Sequence, residues 1–253
     1  RFLTAQYKDH MQKITRRTYL IPPPSAVAGI FGALIGLEKD ELYKISEEML
    51  AGAEIRFLGG RTITSARIFK IDRPLPALIS LLRRYYGGER SEDLIKDIQG
   101  LLTLKESEEL YMPEYKFAIA SSNETLIERG LKKLREYDFE YDVFGGNDYH
   151  IAEFIGDPKP AKLEKSPEGY GYCRREDFDR VEAESFDIVW STEALGGEPN
   201  PIVIPTTFLA NVKEEFIQVY GAKMLLKRER NVVNDGESMI FVHEVKPFLV
   251  LRI

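Results

Sequence analysis

Two hydrophobic rhythms follow one another along the chain, and their order sets the expected fold. Apolar positions recur at helical spacing over residues 25–37. They do so again over 40–50, where Leu42, Ile45, Met49 and Leu50 gather near one face and Glu41, Glu47 and Glu48 lie outside. Residues 53–58 then read as a strand that stops at Gly59-Gly60, and 61–71 alternate as another, which predicts a projecting hairpin. Arg73-Pro74-Leu75-Pro76 breaks that strand, and residues 77–110 carry helical periodicity interrupted at Gly87-Gly88 and Gly100. Residues 59–112 therefore read as an insertion. A clean strand over 114–120 leads to Ser121-Ser122-Asn123-Glu124, the pattern of a capping box. The helix it opens, to about residue 137, turns Leu126, Ile127, Leu131 and Leu134 inward and Arg129, Lys132, Lys133 and Arg135 to water. A last strand over 139–144 runs to Gly145-Gly146. Strand, helix, strand, insertion, strand, helix, strand is the order of a ferredoxin-like sheet with two helices on one face.

Beyond residue 156 the rhythm changes. Residues 157–171 shift to Pro, Lys and Gly, the composition of a linker or flexible loop. Short strands are expected at 186–191, 202–208, 215–226, 239–242 and 248–253, with Asn234-Asp235-Gly236 as a turn. The expected fold class is α+β. A ferredoxin-like (RRM-like) domain occupies 1–155 and carries a hairpin and helical thumb at 59–112, and a smaller β-rich domain occupies 156–253.

Composition narrows the function. With 253 residues, 43% hydrophobic and 30% charged, the chain has material for a sizeable core. No apolar run approaches the roughly 20 residues that span a bilayer, and no charged, apolar leader opens the sequence, so it reads as soluble and cytoplasmic. The first residue is Arg rather than Met, which implies trimming. The single cysteine, Cys173, has no partner for a disulfide or a thiolate metal site, and the three histidines, His10, His150 and His243, lie in separate regions. No metal-ligand spacing, phosphate-binding Gly-Lys-Ser/Thr loop or Gly-x-Ser-x-Gly elbow is present, so neither metal nor cofactor is expected.

The net charge of −6 argues by itself against nucleic acid, but its distribution does not. Residues 1–90 hold 15 Lys and Arg against 9 Asp and Glu, and the remainder holds 20 against 32. Such asymmetry suggests one face for a polyanion and another for solvent or a protein neighbour. In the basic part, Arg16, Arg17, Arg56, Arg61, Arg67, Lys70 and Arg73 alternate with Tyr19, Phe57 and Phe69. Phosphate neutralisation with base stacking is how single-stranded RNA is held, although a strand with a solvated charged face has the same composition.

The run Arg16-Arg17-Thr18-Tyr19-Leu20-Ile21-Pro22-Pro23-Pro24-Ser25-Ala26 joins a basic, aromatic strand to three helix-forbidding prolines, with Ser25 as the expected N-cap of a glycine-lined helix. Gly29, Gly32 and Gly36 share one face of that helix, where another backbone can approach closely. Free amides at Ser25 and Ala26 would seat a phosphate. Composition alone favours an ordinary core helix behind a proline turn.

Residues 17–37 resemble the N-terminal signature of the fifth family of CRISPR-associated proteins, in which a Thr- or Tyr-bearing strand passes through Pro-Pro-Pro-Ser/Thr into a Gly-rich helix. The stretch Asp142-Val143-Phe144-Gly145-Gly146-Asn147-Asp148-Tyr149-His150-Ile151-Ala152-Glu153 resembles the aromatic and Gly-Gly segment that closes the family's ferredoxin-like domain. The similarity spans about residues 2–155, and it implies that most of the first strand precedes Arg1. It also implies a non-catalytic subunit of a type I CRISPR RNA-guided surveillance complex (Cascade), a RAMP-superfamily protein of antiviral defence. Such a subunit grips the repeat-derived 5′ handle of the crRNA and meets backbone and large subunits. On that reading Arg16, Arg17 and Tyr19 contact phosphate and base, Ser25 and Ala26 supply amides, and Arg61, Arg67 and Lys70 sit on the thumb. Gly145, Gly146 and Asn147 let RNA approach, and His150 either meets a base or is structural. Some members of the family cut repeat RNA without metal. The alternative is therefore a metal-independent endoribonuclease, with Tyr19, Lys13 and His10 as the nearest general acid, base and oxyanion partner.

Overall fold

A computed structural model describes residues 1–8, 17–69, 75–100, 102–146, 150–182, 202–206 and 215–245. The chain opens with three short strands, β1 (Thr4–Ala5), β2 (Tyr7–Lys8) and β3 (Thr18–Tyr19), of which β2 and β3 pair antiparallel through Tyr7 and Tyr19. Helix α1 (Pro24–Ile35) follows, with Pro24 in its first turn, where a missing N–H costs nothing. It ends at Gly36 in the left-handed region (φ 70), whose N–H donates to the Ala33 carbonyl while Leu37 N–H reaches Gly32 O at 2.8 Å. Helix α2 (Lys39–Ser46) starts on a reciprocal cap between Glu38 and Glu41. It is shorter than the periodicity predicts, because Met49 and Leu50 belong to strand β4 (Met49–Phe57).

The insertion is built as β5 (Gly60–Phe69), α3 (Leu75–Tyr86), α4 (Glu92–Gly100) and β6 (Leu102–Tyr111). Its hairpin is therefore made by β5 and β6, in register from Gly60↔Tyr111 to Phe69↔Leu102, and not by β4 and β5. The expected helical reading of 102–110 is replaced by a strand, since Lys105-Glu106-Ser107-Glu108-Glu109 pairs across to Thr62–Ala66. Strand β1 adds to β6 through Thr4↔Tyr111 and Ala5↔Leu110, so the thumb is rooted on the N-terminal strand. Strand β7 (Glu114–Ser121) returns antiparallel to β4, and α5 (Glu124–Glu136) follows. Its cap is Asn123, whose Oδ1 accepts from Leu126 N–H at 3.2 Å, rather than Ser121. Of the four apolar positions expected inside, Leu126 is buried, and Gly130 beside it meets the Phe31 ring, bringing α5 onto α1. The strand expected at 139–144 does not form; Phe144 makes only an isolated bridge to Ile151, and Phe2 another to Ala152.

The expected linker is a correction of another kind. Residues 162–174 form a long strand, β8 (Lys162–Arg174), followed by β9 (Phe178–Glu182), β10 (Ile202–Thr206), the 19-residue β11 (Phe216–Asn234), β12 (Met239–Phe241) and β13 (His243–Glu244). Pro167, Gly169 and Gly171 disguise β8 because they sit where its register with β11 slips, between Val219 and Met224 and between Leu225 and Arg230. The strands expected at 186–191 and 248–253 lie outside the described residues. Asp177, 1% exposed, is held bidentately by Arg230 (2.7 and 2.9 Å) and also meets Arg228, fixing the β8–β9 turn to β11.

One apolar cluster runs through both halves of the chain. It joins Phe2, Tyr7, Tyr19, Ile21, Phe31 and Ile55 to Tyr172, Phe216, Tyr220 and Val245. Strand β13 extends the β4–β7 sheet through His243↔Ala51, and the C-terminal sheet lies so close to β4 that a Cβ on Gly171 would overlap the Ala53 carbonyl oxygen. The boundary near residue 155 is thus a change of sheet with a continuous core beneath it.

Candidate nucleic-acid interface

The signature segment owes its shape to side chains from distant strands. Leu20 and Ile21 lie outside any ladder, yet four of their backbone groups are bonded. Gln218 Oε1 accepts from Leu20 N–H (3.1 Å) and Ile21 N–H (3.2 Å), Gln218 Nε2 donates to Ile21 O (3.1 Å), and the Tyr115 hydroxyl donates to Leu20 O (3.1 Å). A buried, unladdered dipeptide is otherwise costly, and these partners remove that cost. At the helix start the structure corrects the Ser25 cap. Pro23 occupies the cap, because the locked φ of successive prolines lets helical geometry begin at Pro24. Ala26 and Val27 N–H both donate to Pro23 O (2.9 and 3.1 Å), so of the two amides expected to face a phosphate, Ala26's is already committed and Ser25's remains.

Arg17 is exposed, and its neighbour Thr18 donates its N–H to Glu108 Oε2 at 3.3 Å. Glu108 Oε1 meets Arg61 Nη1 at 3.5 Å. One thumb carboxylate thereby draws the basic strand and the thumb root together. Nearby, the buried Gln6 side chain donates to Ser107 Oγ and to Glu108 O (2.9 Å), and Thr64 Oγ1 donates to Glu109 (3.1 Å). The cross-strand partners of β5 include Glu106, Glu108 and Glu109, so carboxylates line the root of the thumb, with Arg61 paired to Glu108 and Arg17 exposed on the neighbouring strand.

The glycine loop lies on the same N-terminal strand. Gln6 N–H donates to Gly145 O (2.8 Å), Gly145 N–H donates to His150 O (2.7 Å), and a Cβ on Gly146 (φ 107) would overlap the Gln6 carbonyl oxygen. The close approach that these glycines permit is that of the chain's own Ala5–Tyr7 backbone. His150 is 1% exposed, with Nδ1 at 2.6 Å from Thr4 Oγ1. Burial lowers its pKa against the opposing pull of Glu109, so the ring is neutral and structural at pH 7. Tyr19 is likewise a core residue, 5% exposed opposite Tyr7. Neither ring is placed to stack on a base. Of the remaining candidates, His10, Lys13, Arg16, Lys70 and Asn147 lie outside the described residues, and Arg67 has its backbone on β5. Reasoning from sequence missed Gln6, Glu108, Tyr115 and Gln218. Only Gln218 had a local signal, as the lone amide within Phe216-Ile217-Gln218-Val219-Tyr220.

The glycines of α1 serve separate ends. Gly32 takes the Leu42 side chain (3.1 Å from a Cβ), Gly36 is the C-cap against Glu140, and Gly29 faces open space.

An α+β protein whose N-terminal strand closes on the glycine loop and pairs, through β2 and β3, with the strand that leads into the proline bend is the class that this geometry defines. Residues 2–57 match the model of the family described as CRISPR-associated protein (Cas_Cas5), the family that the proline signature resembles. That segment runs from β1 through β4 and includes Arg17, the proline bend and both helices behind it. No curated protein matches the chain. Among solved structures it is similar to a chain titled "CRISPR RNA-guided surveillance complex", at 12% identity and a TM-score of 0.41, covering 92% of this chain and 86% of that one. No described helix is long and apolar enough to cross a membrane.

Proposed function

We propose that the protein is a non-catalytic subunit of a type I CRISPR RNA-guided surveillance complex that holds the single-stranded 5′ handle of crRNA in antiviral defence. It would do so in the cytoplasm, beside a backbone RAMP subunit and a large subunit, and without a cofactor. The observation that carries the reading is Glu108, which accepts from the Thr18 N–H next to exposed Arg17 and pairs with Arg61, just upstream of the proline bend; Arg17, Thr18 and the bend lie inside the segment that matches the family. Two guanidinium groups near the proline bend suit phosphates of one strand, and Glu108 holds that of Arg61 while fixing the backbone beside Arg17.

Fluorescence anisotropy of a labelled single-stranded CRISPR-repeat RNA tests this. An Arg17→Ala, Arg61→Ala double variant should bind at least about tenfold more weakly, and its log K against log salt slope should be shallower by about 1.4, two phosphate contacts at about 0.7 each. Equal affinity and slope would remove the site. The cleaving alternative loses support from Tyr19, whose ring is packed in the core rather than presented to a ribose. Incubation of repeat RNA with the protein and a chelator should leave it intact; a single cut ending in a 2′,3′-cyclic phosphate would restore that alternative.

A further inference from the structure

We infer that Gln218 is a positioning residue for RNA recognition: through Leu20 and Ile21 it sets the direction in which Arg17 and the Pro22–Pro24 bend face a single strand. The inference rests on the RNA-binding reading above and adds to it a residue from the far half of the chain.

Gln218 is fully buried and central in its sheet, paired to Ile204 on one side and Tyr172 on the other, so its own backbone is fixed by two ladders. Its side chain is spent entirely on the signature segment, accepting two N–H groups and donating to one carbonyl. A carboxamide does both through two separate atoms: a carboxylate would accept but repel Ile21 O, and a thioether offers no donor for it and only a weak acceptor for the two N–H groups. The pivot is also placed where direction propagates. Upstream lies β3 and then Arg17; downstream lie three prolines with locked φ and no N–H, which pass the orientation set at Ile21 rigidly into α1. A lone amide in an apolar run is tolerated because those three bonds are made, and they are made to the two residues that link the basic strand to the bend.

The test compares two labelled RNAs, a repeat-sequence strand and an oligouridine of equal length, bound at 25 °C and fixed salt by protein checked with near-UV circular dichroism. Wild type should prefer the repeat strand. Gln218→Met should weaken repeat binding about tenfold and oligouridine binding less than about twofold, since misdirection harms the shaped contact and spares general phosphate attraction. Gln218→Glu should behave likewise at pH 8. It should recover toward wild type near pH 6, where a buried carboxyl takes up a proton and regains a donor. If Gln218→Met does not fold, Tyr115→Phe, which removes only the bond to Leu20 O, should show the same selectivity at about threefold. Equal loss on both RNAs means fewer folded molecules and overturns the positioning role, as does no loss on either. A wild type with no preference for the repeat strand would instead overturn the RNA reading itself, and this inference with it.

Discussion

Replacing Gly171 with alanine should destabilise the protein by about 3 kcal/mol, enough to lower Tm by about 6–12 °C in a chain of this size. Two costs combine. Gly171 has φ 102, where an L side chain is strained by about 1–2 kcal/mol. The added methyl would also overlap the Ala53 carbonyl oxygen, and separating two sheets at a packed contact costs about 1–3 kcal/mol. Gly236 provides the control, since it shares a positive φ (88) but faces open space. Gly236→Ala should therefore cost only about 1 kcal/mol. Thermal melts of both variants check this. Equal losses would mean that β8 does not press on β4.

Acid should weaken the fold well before the carboxylates protonate. His243 stacks on Tyr172 (5.2 Å between ring centroids, 20°), stands edge-on to Phe216, and directs Nε2 at Tyr172 O (2.9 Å), so its neutral form donates that bond. Burial pushes its pKa down to about 4, although the carbonyl partner pulls the other way. Because the folded pKa lies below the unfolded value near 6.5, the unfolded chain binds the extra proton first. The contribution is complete above about pH 6.5 and is lost as pH falls toward 4, by up to about 1.4 kcal/mol per pH unit and on the order of 3 kcal/mol in all. His150, lowered by burial as well, adds in the same direction. Asp235, held at about 2 by Lys116 (2.5 Å) and two backbone amides in spite of its own desolvation, loses its contribution only below about pH 4. Urea unfolding from pH 7 to pH 5 should thus show stability falling in wild type and falling less in His243→Gln. Parallel profiles would contradict a neutral buried ring.

The parts legible in the sequence were those governed by neighbours in the chain. Gly59-Gly60 marked the start of the insertion, and the proline run at 22–24 marked the start of α1. What escaped was decided across long separations. Residues 105–109 carry the charge density of an exposed helix and become a strand because β5 offers a ten-residue partner. Residues 162–174 look like a linker because their proline and glycines answer bulges in β11, which the local pattern cannot reveal. The same limit applied to the site. Tyr19 and His150 are residue types that permit RNA chemistry, but burial opposite Tyr7 and beside Thr4 assigns them to the core, and no local pattern encodes so distant a neighbour. Glu108 was invisible for the converse reason, as one of several acids on a charged strand until the fold sets it between Thr18 and Arg61.

The bond from Gln218 to Leu20 crosses 198 positions of the chain, and β13 completes the β4–β7 sheet from residues 243 and 244. A ribosome adding about 5–20 residues per second would release the signature some 10–40 s before its last supports emerge. During that interval Leu20 and Ile21 lack the partners they will finally have, and β4 waits for its outer neighbour. Nascent chains of this protein should therefore lean on holding factors, and fragments that stop short of residue 218 should collect in inclusion bodies rather than persist as an RNA-gripping N-terminal piece.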